Sequence, residues 1–236
     1  MFMVCKLRSM SFLAQFDVIL LDLNGTFMFG HDRFGPEQDY FATYRAHGGA
    51  RLDRATVATT MERCLQELLR AYDDPAHVDD FPTLPEAFTA FADAHAEDLP
   101  TLCATFAAHE LGVIPPAHAA VLQRLSASHR LGVVSNICGE PTVWRAHFAA
   151  VGLASVFTTT VFSSEGRSIK PSPQIFQQAL AAFPDVQRIL FVGDSWDRDM
   201  LPAKRLGWAT AWISDTGAGD ADCVIPSLLA LPAVAT

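Results

Sequence analysis

Lysine is scarce in this chain of 236 residues, occurring only at positions 6, 170 and 204, and 17 basic residues face 26 acidic ones for a formal net charge of -9. No Lys/Arg cluster is long enough to follow a phosphate backbone, which excludes nucleic acid as the expected partner. Cysteine is sparse too. Cys5, Cys64, Cys103, Cys138 and Cys223 are odd in number, scattered and without a C-x-x-C pair. That pattern suits neither a disulfide framework nor a zinc site, and fits a reducing, cytoplasmic setting. The histidines show no H-E-x-x-H spacing. No window approaches the roughly 18 apolar residues that span a bilayer, so no membrane partner is expected. The opening "MFMVCKLRSMSFLAQF" carries Lys6 and Arg8 with neither an unbroken apolar run nor a small-residue cleavage site after them. It reads as an extension before the first strand, not as a signal peptide.

What is present is apolar: half the residues are hydrophobic and only 18% are charged, the composition of a compact globular protein. Short apolar runs at 17–23, 131–136, 156–162, 188–193 and 208–213 have the look of strands buried on both faces. Helical patterns separate the later ones, which predicts an α/β fold with a parallel sheet covered on both sides. In "SPQIFQQALAAF", Ile175, Phe176, Ala179, Leu180 and Phe183 recur at helical spacing behind Pro173. Pro202 fits only near a helix start, and Gly207 would end that helix. Residues 33–115 read differently. They contain helical stretches at 55–72 and 84–97 and no buried strand, so they are expected to form a helical cap inserted into a core made of residues 1–32 and 116–236. Pro115 and Pro116 would stop any helix at the exit from that insertion.

Three predicted strands end in a polar residue at the carboxyl edge: Asp22, Ser135 and Asp194. In an open parallel sheet ligands bind at that edge, so these groups would converge, with Lys170 joining them from the loop after the third strand. The segments "DLNGT", "VVSN", "KPSPQIF" and "VGDSWDRD" resemble, in order, the four motifs of the haloacid dehalogenase-like (HAD) superfamily. Each motif alone is weak; four in register are specific. The resemblance implies a Rossmann-like core, a helical cap inserted after the first motif, and phosphatase chemistry on a small phosphorylated molecule. Asp22 would be the nucleophile forming an aspartyl-phosphate. Magnesium (Mg2+) would be held by the carboxylates of Asp22 and Asp194 and the backbone carbonyl of Asn24. Ser135, Asn136, Lys170 and Gly25 would surround the phosphoryl group, with Lys170 neutralising its charge. Thr26 would secure the turn, and Asp199 would support the metal's water shell or orient Lys170. Asp197 reads as a solvated carboxylate at a helix start.

The departure from the pattern is Asn24. Family phosphatases carry at that place an aspartate that protonates the leaving group, and an amide cannot exchange a proton in this way. Losing such help costs about 10²- to 10⁴-fold in rate. Four readings follow: a phosphatase whose substrate has a good leaving group, or one with another proton source, His31 or Glu165; a phosphoryl-transfer protein; a phosphate-binding regulatory protein with impaired turnover; and a 2-haloacid dehalogenase, against which the retained Asp194 argues. A carbon–phosphorus cleaving relative would need a cap lysine, and residues 27–115 contain none. Phe29, His31 and Arg33 are candidates to line the pocket where the cap begins.

Overall fold

The computed structural model describes residues 12–217 and 219–231. The reading of the N-terminal extension therefore lies outside the described residues over positions 1–11, as do Cys5 and Lys6. Six parallel strands form one sheet: β1 (Val18–Leu21), β2 (Arg130–Ser135), β3 (Phe157–Phe162), β4 (Ile189–Gly193), β5 (Ala209–Ile213) and β6 (Cys223–Ile225), ordered β3-β2-β1-β4-β5-β6. The first five lie where the apolar runs put them. The sixth is too short to stand out in the sequence.

Alternation along the strands sorts the core into two layers. Ile19, Leu21, Leu131, Val133, Leu190 and Val192 pack with α5 (Pro116–Ser126) and α6 (Pro141–Ala150) on one face. Val18, Leu20, Val134 and Phe191 pack with α7 (Pro173–Leu180) and α8 (Leu201–Arg205) on the other. β1, β2 and β4 are covered on both faces and need near-continuous apolar sequence, which is why they were legible. By contrast β3, with residues 158–160 exposed or half-buried at the sheet edge, and β5, half-buried at its ends, are not the doubly covered strands expected.

Between β1 and α5 lie α1 (Tyr40–Ala46), α2 (Arg54–Asp73), α3 (Leu84–Ala92) and α4 (Leu99–Glu110), which share a separate apolar cluster including Tyr44, Met61, Leu68, Phe88 and Phe106. Asp53 caps α2 by accepting from the Thr56 N–H, and a reciprocal Thr83–Glu86 capping box starts α3. Two expectations need correction. The helix predicted over 84–97 ends at Ala92, because Asp93 takes a left-handed conformation with φ of 55°. Pro115 and Pro116 do not stop a helix: α4 already ends at Glu110, and Pro116 occupies the first turn of α5, where its missing N–H costs nothing. Pro202 likewise sits at the start of α8, entered directly from a wide π-type turn at Trp196–Met200, and Gly207 follows with φ of 77°.

Candidate active site

Strand β1 delivers Asp22 to the carboxyl edge, where the residue is 5% exposed. Its neighbours β2 and β4 end in register with it, so Ser135 and Asp194 arrive at the same lip of the sheet. A cleft of about 400 Å³ opens there, lined among others by Asp22, Asn24, Ser135, Asn136, Lys170, Asp194 and Asp199. Gly25 and Thr26, the remaining residues singled out in the sequence, lie beside it. The Thr26 hydroxyl donates to Asp22 Oδ2 at 3.3 Å. Gly25 has φ of 77°, and a Cβ there would lie 2.1 Å from Asp194 Oδ2, so glycine is required both by the backbone and by the carboxylate seated against it.

The ammonium of Lys170 bridges two carboxylates, donating to Asp22 Oδ1 at 2.5 Å and Asp199 Oδ1 at 2.6 Å. Burial disfavours its charge, but Asp199 and Asp22 together outweigh that and hold it protonated, above its ordinary range. Burial pushes Asp199 up to about 7, with Lys170 opposing and Asp22 adding to the rise. Asp194, whose residue is open to solvent on one side, is pushed up to about 6 by burial of its carboxyl and by the Asp22 charge. Oxygen atoms of Asp22, Asp194 and Asp199 all lie within 4.8 Å of one another. Three acidic groups so close, with one ammonium among them, leave negative charge that a cation would relieve.

The loop carrying Lys170 is fixed at both sides of the residue. Asn136 accepts from the Lys170 N–H at 2.7 Å through Oδ1 and donates from Nδ2 to the Lys170 carbonyl and the Tyr72 hydroxyl, each at 3.2 Å. Arg198 donates to the Lys170 carbonyl and to the Tyr72 carbonyl, both at 2.8 Å, with its guanidinium 3.5 Å from the centre of the Tyr72 ring. The amide of Asn136 is thus engaged with the lysine loop. Tyr72 and Arg198 were missed in the sequence, since nothing local marks residues so far from Lys170 as its supports. Glu110 was missed too: buried in the cleft wall, it accepts from the Cys138 N–H at 2.6 Å and the Gly139 N–H at 2.8 Å.

Of the residues proposed to flank the site, His31 lines the cleft, with its ring 3.6 Å from the Asp32 carboxylate. Phe29 and Arg33 do not. The Phe29 ring packs on His118, and Arg33 is exposed, its guanidinium spent on the carbonyls of Gly30, Ala108 and Leu111. Glu165 is also outside: it is exposed and paired with Arg145 at 2.9 Å. Asp197 is exposed in the first turn after Ser195, as expected. Asn24 stands at the cleft, and its side-chain Oδ1 is buried without a hydrogen-bond partner.

The chain, an open parallel sheet with these side chains gathered at its carboxyl edge, belongs to the haloacid dehalogenase-like hydrolase family, which it matches over residues 16–207. It is 31% identical over 101 residues to the pyrimidine 5'-nucleotidase YjjG of Escherichia coli, a match covering 42% of this chain and 44% of that protein. The chain thus spans less than half the length of this curated relative. Among solved structures, a 2-haloacid dehalogenase from Pseudomonas syringae superposes with a TM-score of 0.61 at 21% identity, covering 93% of this chain and 97% of that one. The HAD-hydrolase YfnB from Bacillus subtilis, solved with magnesium bound, gives a TM-score of 0.55 at 16% identity and covers 90% and 95%. At these identities the structural likeness establishes the fold.

Proposed function

We propose that the protein is a magnesium-dependent phosphatase acting on a small phosphorylated molecule through an aspartyl-phosphate on Asp22. The observation that carries the reading is the Lys170 bridge, which holds the Asp22 carboxylate in place at the end of β1 while the oxygens of Asp194 and Asp199 stand within 4.8 Å. An oxygen-only donor set of this kind suits a hard cation, and Gly25 leaves room for the Asp194 carboxylate within it. Asp22, Asp194 and the Asn24 carbonyl would hold the ion, with Asp199 supporting its waters. When bound, the ion withdraws negative charge from the phosphoryl oxygens and from the crowded carboxylates.

The chain's own groups do the rest. Asp22 attacks phosphorus in line with the leaving oxygen, Ser135 donates its hydroxyl to a phosphoryl oxygen, and Lys170 neutralises the charge that spreads over the others. Water then hydrolyses the acyl phosphate. Asn24 supplies no acidic proton, so the substrate is one whose leaving group departs with little help. In this reading residues 33–115 would form the cap over this edge, on a core made of the described residues before 33 and after 115. No helix among the described residues is long and apolar enough to cross a membrane, and the reducing, cytoplasmic setting rests on the scattered cysteine pattern of the sequence. The test is hydrolysis of acetyl phosphate with magnesium, expected to vanish with EDTA and in Asp22→Ala. Activity that survives both would overturn the mechanism, and halide release from 2-haloacids without metal would replace it.

A further inference from the structure

The far half of the cleft differs in character from the carboxylate edge. On α2 the residues Leu65, Leu68, Leu69 and Tyr72 follow the spacing of one helical face and all line the cleft, together with Phe81, whose ring packs against that of Tyr72, and Ile169. Leu69 is 53% exposed, one of few large apolar side chains left so open among the described residues, and it belongs to the lining of the cleft. The charged groups in this half lead to the same place. Among the described residues the cleft's lysine and arginine are Lys170 and Arg198, and its one further basic side chain is His31, which stands 3.6 Å from the Asp32 carboxylate. Lys170 is engaged with Asp22 and Asp199, and both terminal nitrogens of Arg198 are bonded to backbone carbonyls. A second phosphate or a carboxylate on the substrate would find no lysine or arginine in the lining without a partner, and would reach His31 only beside the acid Asp32.

We infer that the substrate carries a single phosphoryl group on an uncharged, apolar, ring-sized remainder whose oxygen leaves readily, such as a phenol or an enol. This rests on the phosphatase reading and narrows it. In the first step the bond between phosphorus and the aryl oxygen breaks as the bond between phosphorus and Asp22 forms, and the aryl oxygen leaves with the electron pair. In the second, water attacks phosphorus and the Asp22 carboxylate is released. The proton shed by that water balances the one the aryloxide takes from solvent. An aryloxide needs no acid at position 24, so the amide and the apolar wall select the same compounds.

The experiment compares kcat/KM of the magnesium-loaded protein for 1-naphthyl phosphate, 2-phosphoglycerate and acetyl phosphate. 1-Naphthyl phosphate should exceed 2-phosphoglycerate by at least about 100-fold. Leu69→Asp, a surface change that should not disturb folding, should lower kcat/KM for 1-naphthyl phosphate at least about tenfold more than for acetyl phosphate. Leu229→Asp, at an apolar residue 47% exposed outside the cleft, controls for added charge and should change neither. Comparable rates on the naphthyl and the doubly anionic substrate, or equal losses for both substrates in Leu69→Asp, would overturn the inference while leaving the phosphatase reading intact. Failure to hydrolyse acetyl phosphate at all would remove the phosphatase reading and this inference with it.

Discussion

Glu110 offers a measurable consequence of burying a carboxyl in the cleft wall. Burial is the main cause that raises its pKa from 4.5 to about 8, with Asp32 adding to the rise and the Cys138 and Gly139 N–H groups opposing it. At about 1.4 kcal/mol per tenfold change in proton affinity, the difference between the folded and unfolded carboxyl is worth up to about 5 kcal/mol. The sign follows from the proton count. Between pH 4.5 and 8 the folded protein keeps a proton that the unfolded chain has released, so this contribution is complete below the unfolded value and is lost as pH rises to about 8. Asp194 and Asp199 act in the same direction. His109, His118 and His147, whose pKa values burial lowers, act in the opposite one. The comparison is therefore with Glu110→Gln, in which all of those groups persist. Its amide accepts one of the two N–H bonds and cannot titrate, so it should be the less stable protein at pH 5, by about 1–3 kcal/mol. That gap should shrink or invert by pH 8.5. Urea midpoints at pH 5, 6.5 and 8.5, converted with a common m-value, measure it. A difference between the two proteins that stays constant across this range would refute the reasoning, because it would show that the Glu110 carboxyl ionises in the fold as it does in water.

Further outcomes are expected at the catalytic edge. Lys170→Met leaves Asp22 and Asp199 buried without their shared cation; it should cost about 3–5 kcal/mol in urea unfolding and lower kcat on acetyl phosphate by at least about 10²-fold. Gly25→Ala places a methyl where the Asp194 carboxylate sits, whereas Gly30→Ala, with φ of 62° and nothing within 4 Å, carries only backbone strain. Calorimetric titration should show magnesium affinity falling about tenfold or more in the first and little in the second, although each loses about 1–2 kcal/mol of stability. Asn136→Ala removes the partners of the Lys170 N–H and carbonyl; kcat should drop about tenfold with KM little changed. Asn24→Asp should raise hydrolysis of alkyl phosphates by about 10²- to 10⁴-fold and that of aryl phosphates far less, read as the ratio of the two rates.

The strands and the groups at their ends were legible because both signals are local. A strand covered on two faces must be apolar throughout, so 17–23 and 188–193 announced themselves, and the placement of Asp22 and Asp194 at the sheet's carboxyl edge followed from where those runs stop. What escaped depends on distance in the chain. Glu110 lies in a helical stretch where a buried acid looks like a surface one, and only the fold brings the Cys138 and Gly139 N–H groups to it. Arg198 reads as one more charge in "DRD", yet its partners belong to residues 170 and 72. Arg33 and Glu165 erred the other way: proximity to a motif suggested the pocket, while carbonyls and Arg145 had already taken their side chains.

The Tyr72 contacts have a mechanical corollary. Tyr72 ends the apolar face of α2, and its hydroxyl and carbonyl are bonded to Asn136 and Arg198, the two residues that seat Lys170. Any displacement of α2 that carried Tyr72 away would strain both bonds together, while Asn136 and Arg198 would keep their own bonds to residue 170. One aromatic side chain thus ties the helical insertion to the two residues that seat the ammonium, so the position of the one bears on the stiffness of the other.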